Sequence, residues 1–167
     1  MNVQYMTGIE MALPEGKLPG FYAQVIKKLA SSGGIADRDK NLLFVHPDRL
    51  EAVMEILHAY KAETETGPWL LLGSSNDGWE TRSLWMDYGV ETRSGNLFAD
   101  SQLAAAVQLK GNVEGAEIHP ASMQLEEHAI ALHQASRLYV IDRQLLPLAE
   151  SIGKAYHCLV TEFSGKP

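Results

Sequence analysis

Histidine is the residue best suited to chemistry near neutral pH, because imidazole titrates there and binds metals when neutral. The chain carries six: His46, His58, His119, His128, His133 and His157. The densest group is His128 and His133, with Glu126 and Glu127 beside them. Leu125, Ala129 and Leu132 in one line predict a helix over 122–136 that would carry both rings. A helical metal pair needs i,i+3 or i,i+4 spacing to share a face. The spacing here is five, which turns the rings about 140° apart on a helix of 3.6 residues per turn. No shared metal ion is expected. The enzyme reading of these residues is a small hydrolase or transferase, metal-assisted through His119 and His128 with an acid such as Glu127.

Other candidate chemistries fail on single positions. Asp37, Asp39, Asn41 and Asp48 match positions 1, 3, 5 and 12 of a calcium loop, but Leu42 stands where its glycine must be. The run Gly73-Ser74-Ser75-Asn76-Asp77-Gly78 follows an apolar stretch, as a phosphate loop would. Trp79-Glu80 nevertheless replaces the Lys-Ser/Thr pair such a loop needs, and its acids would repel phosphate. Ser74 and Ser75 lack the G-x-S-x-G setting of a nucleophile elbow. Cys158 follows His157 directly, and neighbours on a strand point to opposite faces, so the pair is not expected to meet. No catalytic residue, cofactor or metal ligand is assigned.

The elements that must position any site can be read from punctuation and periodicity. Pro19-Gly20 opens a helix carrying Phe21, Val25, Ile26 and Leu29, and Gly33-Gly34 stop it. Asp37 to Lys40 reads as a polar loop and Leu42 to Val45 as a buried strand. A second helix runs from Pro47 through Leu50, Val53, Met54, Leu57 and Tyr60, fraying at Glu63 and Glu65 and ending at Gly67-Pro68. Trp69 to Leu72 predicts a strand, and Asp77-Gly78 a hairpin turn. Thr81 to Tyr88 reads as the returning strand, with a helix as the alternative. Ser94-Gly95-Asn96 marks a further turn, which completes an antiparallel meander over 69–98.

Asp100 or Ser101 caps an expected helix through Leu109, and Ala116 to His119 reads as a short strand. Strand 138–141, helix 143–156 with Pro147 near its start, and strand 158–163 close the chain. The fold class expected is α+β: one mixed or antiparallel sheet with about five helices packed on it, in a single globular domain over 1–167. The run Leu43-Phe44-Val45-His46-Pro47-Asp48-Arg49 echoes Leu138-Tyr139-Val140-Ile141-Asp142-Arg143. Two readings of the echo stand: a duplicated strand–helix unit, or two capped junctions that recruited Asp and Arg independently.

Composition bounds the function. A chain of 167 residues that is 46% hydrophobic can bury a core, which excludes wholesale disorder. A net charge of -7 with no basic stripe argues against direct nucleic-acid binding. Apolar runs such as Trp69 to Leu72 are far too short to span a bilayer. The first residues lack the basic start of a signal peptide, and one cysteine forms no internal disulfide. A cytoplasmic protein is expected.

Trp69, Trp79 and Trp85 concentrate in the meander. Such a cluster either builds core or anchors an interface. Trp79, just past a turn, is the member expected to be exposed, with Asp77, Glu80, Arg82 and Arg93 as a polar rim around it. Leu18-Pro19, Phe21-Tyr22, Ser32-Gly33-Gly34 and Leu71-Leu72-Gly73-Ser74 resemble the SMI1/KNR4 family of immunity-type proteins, in which a proline-led helix ends in Gly-Gly ahead of a sheet. The likeness covers about half the chain, and the last strand–helix–strand departs from it. What it implies is a class of function only. The expectation is a non-enzymatic protein-binding factor, of inhibitor or immunity type, that covers a partner protein. The enzyme reading above and a structural subunit of a larger assembly, including a homo-oligomer, are the alternatives.

Overall fold

A computed structural model describes residues 3–111 and 113–163. The class is α+β, with five helices and two antiparallel sheets where one sheet was expected. The chain runs β1 (Gln4–Ala12), α1 (Phe21–Ser31), β2 (Ile35–Asp39), β3 (Leu42–Val45), α2 (Leu50–Ala59) and β4 (Glu63–Ser74). It continues through β5 (Glu80–Thr81), the single turn α3 (Trp85–Tyr88), β6 (Gly89–Glu91) and β7 (Asn96–Asp100). The last part is β8 (Ala104–Lys110), α4 (Ile118–His128), β9 (Ala131–His133), β10 (Leu138–Asp142), α5 (Leu146–Ala155) and β11 (Leu159–Glu162).

The fold contains a repeat, although not in the register of the sequence echo, since Leu43 corresponds to Tyr139 and not to Leu138. The first sheet begins β2-β3-β1-β4 and the second contains β9-β10-β8-β11, each built from a β-α-β-β-α-β run of split β-α-β type. Registers agree as well. Ile9 pairs with Leu43 and Thr66 on its two sides, and Val107 pairs with Tyr139 and Glu162. The second helix of each unit ends identically. Ala62 N–H donates to Leu57 O and Cys158 N–H to Gly153 O, around the left-handed residues Lys61 (φ 58) and His157 (φ 55). Leu50 and Leu146, Ile56 and Ile152, Ala59 and Ala155, and Tyr60 and Tyr156 stand at matching positions. These agreements favour duplication over independent junctions.

The first sheet has six strands, β2-β3-β1-β4-β7-β6, and it curls on itself. Phe44 on β3 and Phe98 on β7 are separated by two strands, yet their rings stack at 3.7 Å. Trp69 meets Phe44 edge-on at 5.2 Å, and Met6, Phe44 and Phe98 are fully buried in this inner core. Gly8 makes the curl possible, because a Cβ there would overlap the Trp69 indole. Asp37 ties the two edges together. From β2 it accepts hydrogen bonds from Thr92 Oγ1 (2.6 Å) and Asn96 Nδ2 (2.8 Å) at the β6–β7 turn.

The outer face of the curled sheet is divided between two neighbours. Ile9, Leu43 and Val45 lie under α1 and α2, which bury Val25, Leu29, Val53 and Leu57. Leu70, Leu72, Leu97 and Ala99 pack on Ala104, Ala106, Leu138 and Val140 of the second sheet. That sheet, β11-β8-β10-β9-β5, turns Val107, Leu109, Tyr139 and Ile141 to α4 and α5 on its other side.

Several expectations are corrected. Ala104 to Lys110 is strand, not helix: the alanine run has helical propensity, but it lies between β10 and β11, and its small side chains let the sheets approach. Residues 35–39 are strand instead of polar loop, closed by a two-residue turn at Lys40 (φ 53). The second helix stops at Ala59, and β4 runs straight through Gly67-Pro68. Pro68 is tolerated because its carbonyl side faces Ser101, beyond the end of β7, where no ladder N–H is required. Residues 116–119 lead into α4, which ends at His128, so His133 lies on β9. Thr81 to Tyr88 contains the short α3, and β4 and β5 belong to different sheets instead of forming a hairpin.

Asp37→Ala should lower unfolding stability by about 1–3 kcal/mol, since it strands polar partners and frees the sheet edge. Asp39→Ala on the same strand should change it by no more than about 0.5 kcal/mol. Equilibrium denaturation of the two variants checks this, and equal losses would refute the tie.

Candidate functional site

The segment between the two repeated units, 75–103, supplies β6 and β7 to the first sheet and β5 to the second. Five of the residues expected in a binding surface lie in it, and the structure separates them. Trp79 is 6% exposed and belongs to the core between the sheets, with Trp85 at 4%. This corrects the expectation that Trp79 faces solvent. Both indole N–H groups lack an acceptor among the described residues, so the rings serve by bulk. Glu80 and Arg82 remain exposed and pair at 2.9 Å on the free edge of the second sheet. Asp77 is exposed at the mouth of a cleft. Arg93 is exposed in a different hollow, beside Arg38, Asp39 and Lys40.

On either side of the buried Trp85 the chain displays apolar side chains that sequence reasoning missed. Leu84 is 53% and Met86 74% exposed. The short α3 bears out the helical alternative over 81–88 in its last turn only. The display is anchored at both ends. Arg82 N–H donates to Ile130 O at 2.9 Å, and the Tyr88 hydroxyl donates to Asp142 Oδ2 at 2.5 Å. Asp142 also accepts from Gln144 N–H at 2.9 Å. The Tyr88 bond, and then the Gln144 N–H, hold the Asp142 carboxyl below its ordinary range. The same bond, then burial, then the charges of Asp142 and Asp87, push the Tyr88 hydroxyl up.

The cleft has a volume of about 610 Å³ and lies where the two units meet. Leu71 and Leu72 of β4 form its apolar part, and Ser74, Asp77, Asn96 and Ser136 its polar part. His133 lines it too, but the ring is 7% exposed and both nitrogens are committed. Ser136 N–H donates to Nδ1 at 3.2 Å, which places the proton on Nε2, where it is given to Asp77 O at 2.9 Å. Gly78 (φ 96) lets the ring approach, since a Cβ there would lie 2.9 Å from Nε2. His133 is therefore a structural clamp on the Ser74–Gly78 loop.

The other candidate chemistry does not converge. His119 and His128 sit at opposite ends of α4, His119 beside Ser122 and Glu126, His128 beside Leu145 and Leu148. Glu127 is exposed. Among the described residues no three His, Cys, Asp or Glu side chains are grouped as metal ligands. Cys158 is half-buried, its thiol directed at Tyr156 O (3.4 Å), and His157 belongs to the turn before β11 rather than to the strand. No helix among the described residues is long and apolar enough to cross a membrane.

No family model matches this chain, and the comparisons with curated proteins and with solved structures found no match. The partial likeness to the immunity-type family thus carries no residue roles, and the reading of function rests on the surface itself.

The anchoring pair has a pH signature. Asp142 has a depressed carboxyl, so its contribution is present above the unfolded value of about 4 and is lost as pH falls through the folded value. Tyr88→Phe should cost about 1 kcal/mol between pH 5 and 8, a figure kept low because the pair is partly solvated. The difference from wild type should shrink below about pH 4. Denaturation across pH checks this, and a pH-independent difference would refute it.

Proposed function

We propose that this protein is a non-enzymatic protein-binding factor, of inhibitor or immunity type, that covers a partner protein with the segment Glu80–Asp87. The observation that carries the reading is the exposure of Leu84 and Met86 on either side of the buried Trp85. An apolar pair fixed on a rigid support loses little entropy on binding, which is what an interface centre requires. Glu80 and Arg82 supply a polar border at the free edge of β5, and Asp87 continues it. The moderate negative charge of -7 favours a basic partner and faster encounter with it. Trp79 contributes as a support of the segment, and Arg93 belongs to a separate hollow.

The test is capture from lysate of the source cells with wild-type protein and two variants. Leu84→Asp/Met86→Asp should lose a stoichiometric protein that wild type retains. Leu18→Asp, at a site 83% exposed elsewhere on the surface, should retain it. Retention by the double variant would overturn the assigned surface. Trp79→Ala should instead cost about 3–5 kcal/mol of stability, as loss of a core aromatic does.

A further inference from the structure

We propose that the cleft between the two units is a binding site for a small aliphatic cation, an ammonium or guanidinium on a short apolar stem. The cleft is distinct in chemistry from the apolar display at Leu84 and Met86, and the inference does not depend on that reading. Its volume of about 610 Å³ falls in the range of small-molecule sites, about 300–1,000 Å³, and it lies at a junction of units, where such sites concentrate.

The lining selects the sign of the ligand. Asp77 is the one carboxylate among the lining residues, no Lys or Arg lines the cleft, and both His133 nitrogens are already engaged in hydrogen bonds. The carboxylate is partly fixed: Oδ2 accepts Ser74 N–H at 3.3 Å, while Oδ1 meets no donor among the described residues. The loop that carries it is internally closed, with Asp77 N–H donating to Ser74 O (3.0 Å), Asn76 N–H to Ser74 Oγ (3.2 Å) and Ser75 N–H to Gly95 O (2.7 Å). The acceptor is thus set in place before any ligand arrives. Asn96 and Ser136 add neutral polar groups, and the half-buried Leu71 offers a surface for the stem of an alkyl cation. An anion would meet Asp77 with no compensating charge and be rejected.

The same group reaches the cleft either as a free amine or as a basic side chain of a peptide. Two probes separate these sources: agmatine, and the blocked tripeptide acetyl-Gly-Arg-Gly-amide. Calorimetric titration of the whole chain should show saturable one-to-one binding of at least one probe, weakening as salt is raised. Butanol and succinate, the neutral and anionic counterparts, should not bind. Asp77→Asn should weaken binding about tenfold or more, by loss of a charge-assisted hydrogen bond, and Asp48→Asn, at an exposed site outside both surfaces, should leave it unchanged. Ser136→Phe, which puts a bulky ring on the cleft wall, should abolish it while the circular dichroism stays that of wild type. Agmatine alone binding assigns a free-amine site, and the tripeptide alone a peptide site. Binding of neither, or equal binding by Asp77→Asn, overturns the proposal.

Discussion

The curl of the six-stranded sheet is the constraint on which the rest of the molecule depends. A flat antiparallel sheet offers one face to a core and the other to water. Here Phe44 and Phe98 stack across two intervening strands, which turns the second face inward and makes a core of it. The outer face then bends around that core and presents two surfaces. One receives α1 and α2, and the other receives the second sheet. Without the curl, Leu70 and Leu72 would compete with Ile9 for the same helices. Gly8 and Asp37 are the local devices that permit and latch it, one by leaving room for an indole, the other by joining edges that would otherwise template aggregation.

The repeated unit accounts for every helix but α3 and for most strands, while the segment between the copies explains the features that could carry function. Each unit alone is a four-stranded sheet with two helices on one face, and its other face needs a cover. The first unit covers that face by extending to β7 and β6 and curling; the second covers it with the first. The segment 75–103 donates strands to both sheets and runs Trp79 and Trp85 into the core between them. Arg143 braces its end, donating to Ser101 O (2.7 Å) and Ala104 O (3.3 Å) and pairing with Glu162 at 2.8 Å. The tryptophans are concentrated there because this is where two independently covered units must be welded.

Much of the fold was legible where local signals and burial agree. The helix from Phe21 stops at Gly33 (φ 68) as its glycines predict, Pro147 lies in the first turn of α5, and strands β3, β10 and β11 follow from apolar runs. Legibility failed where tertiary context decides. Ala104 to Ala106 has helical propensity but sits between two strands, and Glu63 to Thr66 is a polar strand because it pairs with β1 along one side only. The site was less legible. Composition located the right segment, but a single sequence does not distinguish a tryptophan that makes an interface from one that supports it. Exposure of Leu84 and Met86 depends on which side of one helical turn faces the core, and the cleft depends on a loop and a strand end more than fifty residues apart, at Asp77 and His133.

The placement of both candidate surfaces has a common consequence. Asp77 is carried by the loop that leaves the first sheet, and Ser136 by the hairpin of the second; His133 clamps one to the other. The apolar display follows on the same stretch of chain, secured to the second unit through Ile130 and Asp142. A ligand in the cleft therefore favours the docked arrangement of the two units by the amount it prefers that arrangement, and no more. A partner on the display meets a segment already ordered by the second unit. The two surfaces share one support, the weld between the sheets, and it is the rigidity of that weld, more than any single exposed residue, that fits this segment for recognition.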